Sequence, residues 1–79
     1  MSADFVETRV REIVAEQLGL GVDDVSPEAS FAADLGADIL DFTEIIMALE
    51  EEFEADIDDA EAEALRTVKD AVDFLSRKS

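Results

Sequence analysis

The sequence predicts an all-α fold: a small four-helix bundle of three longer helices and one short helix, with a long loop between helices 1 and 2. Two observations support this fold class. Apolar residues recur every three or four positions in the segments proposed as the longer helices, which is the period of one helix face. Residues that commonly cap helices precede the second, third and fourth segments. A chain of 79 residues is expected to form one domain over residues 1–79.

The first helix is predicted over residues 4 to 18, and Gly19 and Gly21 then supply stop signals. A long connection follows to about residue 37, with a short turn predicted at Ser26-Pro27-Glu28. The apolar face of the helix is expected to comprise Val6, Val10, Ile13, Val14 and Leu18. The residues expected to hold the connection against the core are Val22, Val25, Phe31 and Leu35.

The second helix is predicted to follow Asp38 and to run through about Phe53. Asp38 is a favourable N-cap, and Asp41 lies three residues later, near the positive end of the helix dipole. The predicted inner stripe consists of Ile45, Ile46, Leu49 and Phe53.

The last two helices are predicted from their caps. Asp58-Asp59 can cap a short helix through about Glu63, and Thr67 can cap the final one. The final helix has an apolar set of Val68, Ala71, Val72, Phe74 and Leu75.

The charge of the chain limits its partners. A net charge of -16 excludes nucleic acid as a plausible ligand, because phosphate binding needs Lys and Arg. No positive charge occurs between Arg11 and Arg66, so the middle of the chain is strongly acidic. Basic protein surfaces or divalent cations are the expected partners, and self-repulsion predicts that salt or magnesium raises the melting temperature.

Several kinds of site and location are disfavoured by composition. The chain has no Cys and no His, so disulfides, thiolate metal sites and a histidine base are excluded. No apolar run approaches the roughly 18 residues that span a membrane. The start, Met1-Ser2-Ala3-Asp4, is too polar for a signal peptide. We therefore expect a cytoplasmic protein, and its strong charge favours a monomer.

One segment resembles the signature of a known family. Residues 34–41 read Asp-Leu-Gly-Ala-Asp-Ile-Leu-Asp, which is similar to the Gly-Ala-Asp-Ser-Leu-Asp motif of acyl carrier proteins of the bacterial fatty-acid-synthesis type. Residues 32–38, 47–54 and 67–75 resemble further family segments in the same order. This resemblance extends over essentially the whole chain. It implies the carrier fold and a 4'-phosphopantetheine arm that presents acyl groups as thioesters to partner enzymes.

The departure from the family lies at Ile39, where the resemblance places the serine that bears the arm. Isoleucine has no hydroxyl and cannot form the phosphodiester. The implied protein is an apo-locked carrier scaffold of fatty-acid or related lipid or polyketide synthesis. The alternative is a degenerate carrier-like protein that only docks basic partners. Thr43, Ser26 and Ser30 lack the sequence context of an attachment site. Deliberate replacement, natural loss and an error in the recorded sequence all remain consistent with this residue.

The resemblance also implies a docking face on the second helix. Partners would read it with basic patches, as acyl-chain synthesis enzymes and phosphopantetheinyl transferase do in the family. The competing interpretation is a solvated helix face. The residues concerned are Asp38, Leu40, Glu44, Met47, Glu50 and Glu51.

The acidic run from Glu50 to Glu63 has two interpretations. It could hold a divalent cation, with Glu50, Glu54 and Asp59 as weak candidates, but a solvated acidic surface is favoured and no specific metal site is expected. The calcium-loop pattern is not met between residues 34 and 45. No nucleophile and base are paired, so we expect no catalytic residues and no enzyme activity.

One further departure concerns the turn before the short helix. Many relatives have a proline in the stretch that here reads Asp56-Ile57-Asp58-Asp59. The loss of that rigid turn leaves the order of the third helix open.

Overall fold

The computed structural model describes residues 3–78 of the chain. They form four α-helices, and a one-turn 3-10 helix (Val22–Asp24) lies in the loop between the first two. The predicted all-α architecture of three longer helices and one short helix is confirmed. The helices are α1 (Ala3–Leu18), α2 (Ile39–Phe53), α3 (Asp59–Ala64) and α4 (Val68–Lys78).

The core forms where α1 packs against both α2 and α4. The apolar positions predicted to face inward on these helices are buried, apart from Leu18, Phe53 and Phe74, which are half-buried and pack against the core. Burial of these side chains is the main favourable term in folding a domain of this size. The largest fully buried side chains are Val6, Val10, Val14, Val25, Ile45, Leu49, Val68 and Leu75.

The first helix ends at Leu18, and Gly19 follows it as the predicted stop. Gly19 has a φ of 69°, a left-handed conformation that glycine adopts without steric cost. The N–H of Leu20 donates to the carbonyl of Ala15 at 2.8 Å, which satisfies one of the last carbonyls of the helix. Gly21 has an ordinary φ of -78° and precedes the 3-10 turn.

Arg11 fastens the following loop to α1. Its Nε donates to the carbonyl of Val25 at 2.7 Å, and its Nη2 donates to the carbonyl of Val22 at 3.1 Å. The side chains of Val25 and Phe31 are buried and that of Leu35 is half-buried, as predicted. The prediction for Val22 was wrong, because its side chain is 38% exposed. Its carbonyl, rather than its side chain, holds this part of the loop.

The middle of the loop is fastened to the start of α4. The N–H of Phe31 donates to the carbonyl of Arg66 at 3.0 Å, and the N–H of Val68 donates to the carbonyl of Ala29 at 3.0 Å. The N–H of Lys69 donates to the carbonyl of Pro27 at 2.8 Å, within the turn predicted at residues 26–28. These bonds fix the path of the chain into α2.

The short helix α3 is held mainly by its ends. Asp58 is its cap, and Asp58 and Glu61 form a reciprocal capping box, so the helix forms without a preceding proline. No residue inside α3 is buried, but Ile57 before it and Leu65 after it are. Thr67 caps α4 as predicted, accepting from the N–H of Asp70 at 3.1 Å.

Across residues 3–78, no helix combines the length and the apolar character needed to cross a bilayer.

Candidate attachment and docking site

The N-terminus of α2 is fixed by a reciprocal pair of hydrogen bonds. The N–H of Asp41 donates to Oδ1 of Asp38 at 2.8 Å, and the N–H of Asp38 donates to Oδ2 of Asp41 at 3.2 Å. Asp38 is therefore the N-cap, as predicted, and Asp41 completes a capping box. The residue between the cap and the rest of the first turn, Ile39, is held in one backbone position.

The chain enters this cap through a tight reversal. Gly36 has a φ of 68°, which a residue with a Cβ rarely adopts. The N–H of the next residue, Ala37, donates to the carbonyl of Phe31 at 2.8 Å, and Ala37 itself is buried. The approach to α2 is thus anchored to the core immediately before the helix begins.

Ile39 projects into solvent, and 81% of its surface is exposed. The side chain of Ile39 therefore lies on the surface and does not fold into the core. The residue lies beside Asp38 at the start of the helix, where an attached group would have room to leave the protein. Its side chain contains only carbon and hydrogen, so it offers no oxygen for a phosphodiester.

The hydroxyl groups of the three other candidates are all engaged in local hydrogen bonds. Oγ1 of Thr43 donates to the carbonyl of Ile39 at 2.9 Å. Oγ of Ser26 donates to the carboxylate of Glu28 at 2.8 Å, and this bond lowers the pKa of Glu28. Oγ of Ser30 accepts from the N–H groups of residues 33 and 34. Each hydroxyl stabilises a turn or a helix of its own.

Four of the predicted docking residues, Leu40, Glu44, Met47 and Glu51, share one exposed side of α2, and Asp38 is exposed at its N-cap. At 3.6 residues per turn, positions 40, 44, 47 and 51 fall on one side of the helix. Leu40 is 71% exposed and Met47 is 59% exposed, and Asp38, Glu44 and Glu51 are also exposed. The structure therefore presents two apolar residues within an acidic border.

Glu50 is the exception among the predicted docking residues. It is half-buried, and its Oε2 accepts from the N–H of Ile57 at 3.0 Å. That bond ties the end of α2 to the segment before α3. The sequence did not predict this structural role, because Glu50 and Ile57 are seven residues apart and on different elements.

An open apolar cleft lies next to Ile39. It has a volume of about 390 Å³ and is bounded by the loop before α2, by the first turn of α2 and by α3. Phe31 and Phe42 meet edge to face in its wall, with ring centroids 5.3 Å apart. Sequence reasoning missed Phe42, although its position three residues before Ile45 places it near the inner stripe. The residues of the cleft that bear on the argument are Phe31, Ala37, Ile39, Phe42, Ala62 and Leu65.

An ion pair joins α1 to the acidic helix α2. Arg9 donates to Oε1 of Glu52 at 2.7 Å and to Oε1 of Glu12 at 2.8 Å. The hydrogen bond to Glu52, followed by that to Glu12, raises the pKa of Arg9. Because these groups are partly exposed, the pairs orient the side chains more than they stabilise the fold.

The acidic run does not converge on a metal site. Within residues 3–78, no group of three or more carboxylates is placed to hold one ion. Of the weak candidates, Glu50 accepts from a backbone N–H, and Glu54 is the left-handed C-cap of α2 with a φ of 50°.

Comparison with known proteins identifies the family of this chain. A family model described as "Phosphopantetheine attachment site" matches residues 8–75. Two acyl carrier proteins of Nitratidesulfovibrio vulgaris, from strains DP4 and Hildenborough, are each 55% identical to the chain over 73 residues. The aligned part covers 92% of the chain and 96% of each relative. The chain belongs to the acyl carrier protein family.

Membership of the acyl carrier protein family confirms the resemblance drawn from residues 32–41, 47–54 and 67–75. The family's cofactor is phosphopantetheine, and the matching region includes the exposed start of α2. At that position Ile39 has no hydroxyl, and the hydroxyl of the neighbouring Thr43 donates to the carbonyl of Ile39.

Proposed function

We propose that this chain is an acyl carrier protein scaffold of fatty-acid or related acyl-chain synthesis that docks partner enzymes but does not carry phosphopantetheine. The observation that carries the proposal is the exposed isoleucine at the first position of α2. The proposal is also supported by the surroundings of that residue, which combine a capped helix start, an open approach and an acidic helix. The side chain of Ile39 itself has no hydroxyl oxygen.

The chemistry of attachment explains why one side chain decides the modification. Transfer of phosphopantetheine from coenzyme A needs an oxygen nucleophile that attacks phosphorus and loses a proton. A hydrocarbon side chain has no lone pair to attack with and no acidic proton to lose. On this proposal the chain stays in the apo form, makes and breaks no bond itself, and acts only by binding.

The exposed side of α2 supplies the binding surface. Leu40 and Met47 offer apolar contact, and the acidic border formed by Asp38, Glu44 and Glu51 would attract basic surfaces. The proposed partners are enzymes of acyl-chain synthesis and phosphopantetheinyl transferase, met by a monomer in the cytoplasm. Glu50 contributes less to docking on this proposal, because its carboxylate already binds the backbone of Ile57.

A second candidate follows from the same residue. A protein that lost its serine long ago does not need to be recognised by the transferase, and it would then serve only as a docking module for basic partners. This alternative requires that other residues of the docking face have changed together with Ile39. The two candidates differ in whether restoring the serine restores modification.

The test is intact mass after incubation with coenzyme A and a broad-specificity phosphopantetheinyl transferase. The unchanged chain, Ile39→Ser and Ile39→Ala are compared side by side. We expect only Ile39→Ser to gain one phosphopantetheine group. If Ile39→Ser gains none, the docking-module alternative replaces the carrier scaffold. If the unchanged chain is modified, another hydroxyl carries the arm, and mapping of the modified peptide identifies it.

A further inference from the structure

The exposed apolar residues of this acidic protein are not scattered evenly. The three with the largest exposed fractions among the described residues, Ile39, Leu40 and Met47, are all on α2, whereas the others are on α1 or in the first loop. At 3.6 residues per turn, positions 39, 40 and 47 lie within one half of the helix circumference. Ile39 therefore extends the apolar part of the docking face to the very start of the helix. The other exposed large apolar residues are Phe5, Leu20 and Val22.

We propose that Ile39 is itself a docking residue, and that the chain is a dead-end ligand of phosphopantetheinyl transferase. It would occupy the surface at which the transferase receives carrier proteins and would not be consumed. This inference rests on the proposed function, since it assumes that the exposed side of α2 docks basic partners. It goes further by giving the isoleucine a role of its own.

The choice of partner follows from the geometry of the reaction. An enzyme that attaches phosphopantetheine at this position must bring the side chain there within bonding distance of the reacting phosphate. The side chain of residue 39 therefore enters or borders the active site of the transferase whenever the two proteins dock productively. In this chain that side chain is a hydrocarbon. Its transfer out of water is favourable, and it cannot react.

The start of α2 is also fixed in conformation, and its acidic border is complementary to a basic partner surface. The capping box between Asp38 and Asp41 and the reversal at Gly36 hold the first turn in one conformation, so little ordering remains to be done on binding. An apolar centre bordered by Glu44 and Glu51 matches a basic entrance with an apolar interior. A free, fixed and unreactive residue in such a surface is expected to bind and then to dissociate unchanged.

The first experiment measures binding and inhibition with the same purified transferase. Isothermal titration calorimetry gives the Kd of the unchanged chain, and phosphopantetheine transfer onto Ile39→Ser gives its effect on catalysis. We expect binding, and inhibition that is relieved by more Ile39→Ser but not by more coenzyme A. An absence of binding in the titration overturns the inference, as does inhibition that coenzyme A relieves.

The second experiment isolates the side chain of residue 39. Ile39→Ala removes three carbons from an exposed position and is expected to raise Kd about fivefold to tenfold. Phe5→Ala, which truncates an exposed residue of α1, is the matched control and is expected to change Kd less than twofold. A change of less than threefold for Ile39→Ala overturns the inference, and a larger one supports it when Phe5→Ala has no such effect.

The dependence of Kd on salt distinguishes the contribution of Ile39 from that of the acidic border. Raising the ionic strength should weaken binding of the unchanged chain and of Ile39→Ala by the same factor, because screening acts on charges and not on the hydrocarbon. Their Kd ratio is therefore expected to stay constant. A ratio that falls to one at high salt would show that the substitution acts through the charges, which contradicts a direct apolar contact.

The two proposals can fail separately. If Ile39→Ser is modified but the unchanged chain does not bind the transferase, the carrier scaffold stands and the dead-end ligand is excluded. If Ile39→Ser is not modified and the unchanged chain binds in an Ile39-dependent way, the reverse holds. Where the unchanged chain binds, Glu44→Lys together with Glu51→Lys is expected to abolish that binding, and undiminished binding would exclude the acidic side of α2 as the docking surface.

Discussion

The two halves of this molecule use charge in opposite ways. α1 and the segment from Arg66 onward carry every Lys and Arg of the chain, whereas the segment between Arg11 and Arg66, which includes α2 and α3, carries none. Two of the cations in the first half have structural partners: Arg9 binds Glu52 of α2, and Arg11 binds the loop carbonyls of Val22 and Val25. Positive charge here helps to connect the parts of the fold, and unbalanced negative charge lies on the exposed side of α2.

The same division appears in packing. α1 lies between α2 and α4 and has completely buried side chains, whereas α3 has none and depends on Ile57 and Leu65 beside it. Stability therefore originates in the contacts that α1 makes with α2 and α4. Substitutions on the exposed side of α2 and on the surface of α3 are therefore expected to cost little stability.

The largest effect is expected where the two sides of α2 are compared directly. Leu49 is completely buried, and Leu49→Ala should lower the free energy of unfolding by about 3 kcal/mol through lost burial and a cavity. Met47 lies on the other side of the same helix, and Met47→Ala should change it by less than about 0.5 kcal/mol. Urea unfolding followed by circular dichroism measures both. Equal losses would mean that the exposed side also supports the fold.

The dependence of the melting temperature on salt tests whether repulsion among the acidic residues destabilises the fold. The molecule measures 28 × 25 × 19 Å, so at about 0.01 M salt, where the Debye length is about 30 Å, its charges interact across the whole structure. At about 1 M the length falls to about 3 Å, and we expect the melting temperature to rise by about 5 °C, or about 1 kcal/mol. Magnesium should act in the same direction.

A variant locates the origin of the salt effect. Glu44→Gln together with Glu51→Gln should raise the melting temperature at low salt and have less effect at high salt, because both residues lie on the exposed side of α2. A melting temperature that does not depend on salt would contradict the proposed self-repulsion.

A smaller effect is expected at the junction with α4. Oδ2 of Asp70 accepts from the N–H groups of Arg66 and Thr67 at 3.1 Å each, and the bond from Thr67 is the main reason that its pKa lies below the ordinary 3.8. Asp70→Asn should cost about 1 kcal/mol at neutral pH. The exposed Asp73 on the same helix supplies the control, Asp73→Asn.

The pH dependence of that loss has a definite sign. A carboxylate whose pKa is lowered by folding stabilises the protein above its unfolded pKa, and the contribution is lost as the pH falls through the folded value. The difference between the unchanged chain and Asp70→Asn should therefore be complete above about pH 4 and shrink at lower pH. A difference that grows on acidification would contradict this role of Asp70.

The sequence predicted elements whose cause is local and missed those whose cause is tertiary. The inner faces of α1 and α2, the caps Asp38 and Thr67 and the stop at Gly19 depend on residue spacing or on side chains within one turn. The buried position predicted for the side chain of Val22 was wrong. Its carbonyl instead accepts from Arg11, eleven residues away, and spacing along the loop does not indicate that bond.

In the candidate site, too, the features with a local cause were predicted from the sequence and those with a tertiary cause were not. Its motif and the position of Ile39 could be read from the chain, and so could the apolar residues Leu40 and Met47. The bond from Ile57 to Glu50 and the packing of Phe42 on Phe31 depend on how separate segments meet. No local pattern specifies such a meeting, so the cleft and the second role of Glu50 required the structure.

The other end of α2 offers a small gain in stability. Glu54 caps the helix with a φ of 50° and a ψ of 46°, a left-handed conformation in which a Cβ is strained. Glu54→Gly should raise the free energy of unfolding by about 0.5 kcal/mol, since relief of strain exceeds the added entropy of the unfolded chain. Glu54→Ala is the control, because it removes the charge and keeps the strain. An equal gain for both variants would assign the effect to charge.

The smallest effect is expected at Ile39 itself. The side chain is 81% exposed and the helix is capped by its neighbour Asp38, so Ile39→Ser should change the free energy of unfolding by less than about 0.5 kcal/mol. Urea unfolding of the two proteins, at matched salt, measures it. A loss above about 1 kcal/mol would show that the isoleucine packs in solution and supports the cleft. A negligible change would mean that the fold is indifferent to the residue at this position. The reason for an isoleucine there would then lie in what the surface binds or is prevented from carrying.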